Sequence, residues 1–217
     1  MDTTNLRHAR LAGILYLVTH VTSVGAVAVY GLSLSSLGIR MGVLLEFVLA
    51  LGCVGTGLLL LPLLRRYGEV RAYGFVFLRA VEAAVILAGA LPMLVLAWTW
   101  EGGDADATLV GLHSASFLVG QGLIIAVNTL ILASLLHASG VVPRALAYLG
   151  FAGGGIVLVS DIGQLLGAIP LNGPVAALCA VPIFVFEIWF AITLIIARRF
   201  AIAGPLATTK SMDVLPA

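Results

Sequence analysis

Charge is scarce in this chain, and recognisable catalytic motifs are missing. Asp, Glu, Lys and Arg make up 10% of its 217 residues, against about 25% in an average soluble domain. With 61% hydrophobic residues and a mean hydropathy of +1.16, that shortage excludes a water-soluble fold. So much apolar surface cannot be hidden inside a domain this small, whereas a bilayer accepts it. A formal net charge of +1, with the basic residues scattered at the ends of apolar runs, excludes a nucleic-acid-binding stripe. Of the two cysteines, Cys53 and Cys179, each lies in an apolar run at a different depth, so no disulfide is expected. There is no HExxH, cysteine pair, phosphate-binding glycine loop, nucleophile elbow or Asp-rich pair, so neither a metal nor a cofactor is expected. His20 and His113 are the pair a haem would use, but at 1.5 Å rise per residue their depths differ by about 10 Å.

What the chain does have is apolar runs of spanning length. They cover approximately residues 10–31, 41–64, 73–98, 109–137, 145–168 and 175–197, separated by short segments rich in Arg, Pro, Gly or acidic residues. The pattern predicts an all-α, polytopic membrane bundle of six transmembrane helices. It forms one domain over 1–203, with a flexible tail over 204–217. The first run is longer than the 7 to 15 residues of a typical signal core, so it is expected to be a retained anchor. Arg7, Arg10, Arg65, Arg66, Arg71, Arg144, Arg198, Arg199 and Lys210 fall at one side and Arg40 alone at the other. Basic residues stay in the cytoplasm during insertion, which places both termini inside. Glycine spacings at Gly150/Gly154 and Gly163/Gly167 are expected to let the fifth helix approach a neighbour closely. A faint repeat, opening at Arg10 and again at Arg144, runs in the parallel sense, unlike the inverted repeats of many carriers.

Five charged side chains interrupt these runs: Glu46, Arg79, Glu82, Asp161 and Glu187. Each such charge costs roughly 2.5 to 3.5 kcal/mol on insertion scales, so function is sought there. Arg79 and Glu82 are three apart and share a helix face, where an ion pair would satisfy both. Glu46, Asp161 and Glu187 are expected to have no basic partner in the membrane, and Glu187 is expected to act as a neutral acid. Around it, Phe184 and Phe190 share its helical face, with Trp189 close by, an aromatic setting suited to a developing positive charge. His20 in the first helix and His113, Gln121 and Asn128 in the fourth are candidates to line the same interior and touch substrate, as are Thr22 and Ser23.

The chain also resembles a known family. The resemblance rests on Ala9-Arg10-Leu11-Ala12-Gly13-Ile14-Leu15-Tyr16, Leu44-Leu45-Glu46, and Pro62-Leu63-Leu64-Arg65-Arg66-Tyr67. It continues in Gly74-Phe75, Arg79-Ala80-Val81-Glu82, Val142-Pro143-Arg144 and Phe186-Glu187-Ile188. These are similar to a bacterial membrane family catalogued as a domain of unknown function, number forty-three eighty-six. The similarity implies a multi-pass protein of the bacterial inner membrane and no particular chemistry. Where members commonly end the last helix in Lys-Gly-Phe, this chain has Arg198-Arg199-Phe200.

Three functions fit these residues. The first is an intramembrane enzyme isomerising or cyclising an isoprenoid-like substrate from the lipid phase, with catalytic Glu187 as acid, Glu82 held by Arg79, and Asp161 or Glu46 assisting. The second is a proton- or cation-coupled carrier. The third is a non-catalytic membrane partner. The bilayer is the expected surrounding, and the oligomeric state is left open.

Overall fold

The computed structural model describes residues 3–32, 35–101 and 106–196. The tail over 204–217 and the Arg198-Arg199-Phe200 sequence lie outside the described residues. Six helices are long and apolar enough to span a membrane. They are α1 (Thr3–Leu32), α2 (Ser36–Leu64), α3 (Glu69–Thr99), α4 (Ala107–Ser139), α5 (Arg144–Leu165) and α6 (Pro174–Ile196).

Most begin several residues before the apolar runs do, because capping carries the helix into polar sequence. The Ser35 hydroxyl accepts from the Gly38 N–H at the start of α2, and Asp106 accepts from Thr108 and Leu109 at the start of α4. Gly140 closes α4 with a left-handed φ of 61°, a conformation that glycine adopts without a Cβ clash. α5 stops at Leu165, short of the expected 168. Within α4, Leu118–Ile124 is wound as a π-helix, a rare geometry that collects at functional sites.

Each helix packs against its neighbours in sequence, and α6 closes back onto α1, making a ring. One end of the ring is solid. Tyr16, Leu60, Phe75, Leu136, Phe186 and Leu194 are among the residues of a single cluster drawn from all six helices. Ala9 and Leu194 belong to that cluster, so the two ends of the described chain meet there. Exposed Arg7, Arg10, Arg65, Arg71 and Arg144 ring the same end.

Small residues allow the close crossings. A Cβ on Gly13 would lie 2.6 Å from the Ala191 carbonyl oxygen, and one on Gly153 would lie 2.8 Å from the Ile183 nitrogen beside Pro182. Gly150 and Gly154 likewise face Phe186 and Leu130. The second expected spacing makes no such crossing: Gly163 packs on Ile169, and Gly167 lies beyond the helix end with a φ of 74°. Gly13→Val is expected to wedge α1 from α6 and destabilise the bundle by about 1–3 kcal/mol. Gly155→Ala, with nothing within 4 Å, should leave it unchanged; the temperature at which the detergent-solubilised protein loses its monodisperse elution peak compares the two.

Candidate functional site

Above the solid end the ring is hollow and polar. Arg79 on α3 is 3% exposed, and it is held through its Nε, its Nη1 and the face of its guanidinium. Its Nη1 donates to both oxygens of Glu82, at 2.9 and 3.2 Å, and its Nε to Thr56 Oγ1 at 3.2 Å and the Cys53 carbonyl at 3.4 Å. Its guanidinium carbon lies 5.5 Å from the centre of the Tyr16 ring, which attracts cations through its π face. The Cys53 thiol completes Glu82, donating across 3.6 Å. A buried pair held this way tolerates low dielectric because each charge has further hydrogen bonds besides its partner.

A second pair joins α1 to α6. His20 Nε2 lies 3.3 Å from Glu187 Oε2, both nearly buried. The other ring nitrogen, Nδ1, sits 2.8 Å from the Tyr16 carbonyl, and a carbonyl can only accept, so Nδ1 carries a proton. Nε2 therefore faces Glu187 in one of two forms, a neutral imidazole beside a carboxylic acid or an imidazolium beside a carboxylate, at ion-pair distance and without an aligned hydrogen bond. Both forms hold one proton between histidine and glutamate, and moving it interconverts a neutral and an ionic pair.

A third pair closes the outer part of the ring. Glu46 accepts from Tyr30 Oη at 3.0 Å and lies 2.7 Å from His113 Nε2. The last carboxylate, Asp161, has no basic partner: its Oδ1 accepts from Gln164 Nε2 at 2.7 Å, while Oδ2 is buried without a hydrogen bond.

All of these carboxylates but Glu46 face two adjoining cavities. The smaller, about 190 Å³, is lined by Arg79, Glu82, His20 and Glu187. The larger, about 520 Å³, is lined by His113, Tyr30, Ser160, Asp161 and Gln164. Phe117, Gln121 and Ala180 line both. Gln121 sits within the π-helical turn and accepts a hydrogen bond from Ser23 at 2.8 Å, tying α4 to α1 where the cavities meet. Among the described residues no cluster of three or more His, Cys, Asp or Glu could hold a metal.

A family model described as a domain of unknown function, DUF4386, matches residues 11–197. The chain belongs to that family. The match spans every intramembrane charge and both cavities. No curated protein and no solved structure matches the chain.

In this DUF4386 chain the expectation that Glu46, Asp161 and Glu187 all lack basic partners holds only for Asp161. Histidines on other helices pair the two glutamates, contacts that exist only because the ring closes. The aromatic face around Glu187 is also divided. Phe184 lines the smaller cavity with its ring 4.8 Å from that of His20. Phe190 is fully buried, edge-on to Tyr16, and Trp189 is exposed on the outer side of the helix. Asn128 is buried below the cavities, its Oδ1 without a partner, and Thr22 bonds its own helix backbone. Sequence reasoning misses Tyr16, Tyr30, Thr56, Phe117 and Ser160 as site residues, and it treats Cys53 only as a cysteine without a disulfide partner. Tyr16 and Tyr30 carried the one available signal, as polar-tipped aromatics in otherwise aliphatic runs.

Replacing Arg79 with Met strands Glu82 in the interior and is expected to cost about 3–5 kcal/mol. Replacing both, Arg79→Met with Glu82→Leu, should recover most of that loss. Thermal stability in detergent checks this; a double variant no more stable than the single one would mean that the pair does not act as a unit.

Proposed function

We propose that the protein is an intramembrane acid–base enzyme that shifts a proton within an isoprenoid-like substrate taken from the lipid phase. The observation that carries this reading is the His20–Glu187 pair facing a cavity beside Arg79. As an ionic pair it offers both halves of an isomerisation. Glu187 takes a proton from a carbon next to a polarised double bond, and the His20 imidazolium returns one to the far carbon. The proton on Glu187 then passes to His20 Nε2 and restores the starting state. Substrate and product have the same mass, and no redox partner is needed. Arg79 faces the negative charge that develops on the substrate's polarising oxygen, the kind of fixed, dry electrostatic support that lowers such barriers. Glu82 holds Arg79 in place. Asp161 lines the larger cavity, Glu46 stands behind its lining residues His113 and Tyr30, and both are accessory to this step.

Cyclisation through a carbocation is less well served. Of the three aromatics around Glu187, only Phe184 faces the cavity, and it already packs on His20, while Tyr16 faces Arg79. A carrier is also less well served, because the bundle is filled by one large core at its basic end. We infer that this end faces the cytoplasm of a bacterial cell, with both termini inside, since basic residues gather there.

The test uses the purified protein in lipid nanodiscs, with isoprenoid enones in heavy water. Deuterium uptake and an isomer of otherwise unchanged mass are expected. Glu187→Gln and His20→Gln should each lower the rate by at least about a hundredfold, the scale of general acid–base catalysis, with elution profiles intact. Full activity in either variant would overturn the reading. So would proton-driven uptake by sealed vesicles, in the absence of any exchange into substrate.

A further inference from the structure

Three of the four intramembrane carboxylates are paired with a basic side chain: Glu82 with Arg79, Glu187 with His20 and Glu46 with His113. The fourth is not. Asp161 is 6% exposed, and its Oδ2 is buried without a partner at the wall of the larger cavity. Beside it Ser160, 3% exposed, has a hydroxyl that is likewise unpartnered. Two adjacent buried polar atoms without hydrogen bonds are costly and rare in a packed interior, and they mark a place where a ligand's donor belongs. The backbone makes room for it: a Cβ on Gly122, in the π-helical turn, would sit 2.7 Å from Asp161 Oδ2.

We propose that the larger cavity binds a lipophilic amine, which arrives from the bilayer between α1 and α6 and seats its ammonium group on Asp161. The lining contains no Lys or Arg to neutralise this carboxylate, so the ligand supplies the missing charge. Tyr30 and Phe117 line the same space, and aromatic rings attract cations. The rest of the wall is largely aliphatic, with Val27, Met93, Val110 and Val157 suited to a hydrocarbon body. A bare calcium-like ion, by contrast, needs six to eight oxygens, and here one carboxylate oxygen and one hydroxyl are unengaged.

The route follows from which lining residues are also exposed. They are Val24, Val27 and Gly31 on α1, Asn172 just before α6, and Ala177, Ala180 and Phe184 on α6. The same two helices touch closely lower down, at Gly13 and Ala191, and no residue of α6 before Ile183 is buried. They are thus packed at the solid end and parted at the cavity, leaving a gap that faces lipid. This inference concerns the larger cavity and does not depend on proton transfer in the smaller one.

The test is equilibrium binding of radiolabelled N,N-dimethyldodecylamine to the full-length protein in nanodiscs of zwitterionic phosphatidylcholine. Saturable binding is expected, with dodecanol competing at least about tenfold more weakly, since it cannot offer a charge-assisted hydrogen bond. Asp161→Asn should weaken amine binding by about tenfold or more. Gly122→Ala, which fills the space beside Oδ2 and leaves the charge in place, should weaken it too and covers the case in which the Asn variant does not fold. Equal binding of amine and alcohol, or amine binding unchanged in both variants, would overturn the proposal. So would millimolar sodium displacing the amine from wild type and from Asp161→Asn alike. No turnover is read, so failure here and failure of the isomerase reading are separate results.

Discussion

A charge inside hydrocarbon has to be answered by another group, and the upper half of this bundle is organised by that requirement. The Arg79–Glu82 pair sets the pattern. It lies on one helix, yet it draws further contacts from α2 through Thr56, the Cys53 thiol and the Cys53 carbonyl, and from α1 through the Tyr16 ring. Three helices are thereby fixed at one depth. Tyr16 then carries the constraint onward, because its carbonyl orients His20, and His20 reaches Glu187 on α6. The contact that closes the ring is therefore partly polar, and it shares a residue with the ion pair that pins α1, α2 and α3.

The two ends of the ring follow different rules. At the basic end large aliphatic and aromatic side chains from every helix interlock, and close packing of that kind leaves no passage. At the other end a small apolar cluster around Ile39, Met93, Leu96 and Ala97 packs the helices, and hydrogen bonds such as Ser23 to Gln121 and Tyr30 to Glu46 fix separation without filling volume. Hollow space is what remains when neighbours are joined by long polar side chains instead of by interdigitated Leu and Phe. The π-helical turn in α4 adds to this with Gly120 and Gly122, so that Val85 and Asp161 meet backbone where a side chain would otherwise stand.

Local features of this arrangement were legible in the sequence. Six spans, their short connections and the Arg79–Glu82 face follow from run length and from a spacing of three, both properties of one helix at a time. What could not be read were pairings between helices. His113 and Glu46 are 67 positions apart, and His20 and Glu187 lie near opposite ends of the chain. A histidine in an apolar run looks the same whether it bonds its own helix or crosses to another. The aromatic face of α6 was half legible for a related reason. Periodicity puts Phe184, Glu187 and Phe190 on one stripe, but the stripe meets different surroundings along its length. One end of it is sealed against Tyr16 and the other opens to the cavity.

The four carboxylates differ in how their charge is balanced. His20–Glu187 and His113–Glu46 can each exist as a neutral pair, carrying no net charge into the membrane, and Arg79–Glu82 cancels within itself. Asp161 has no such device, and only Gln164, itself tied to the Asn172 N–H, supports it. A site whose other members are internally balanced gains nothing electrostatically from a cation bound among them; one with a single unbalanced acid does, and the gain is confined to that acid. The same asymmetry keeps the cavities functionally distinct although they share Phe117, Gln121 and Ala180. In the smaller one a proton can move without any change in total charge. In the larger one the charge balance is completed from outside.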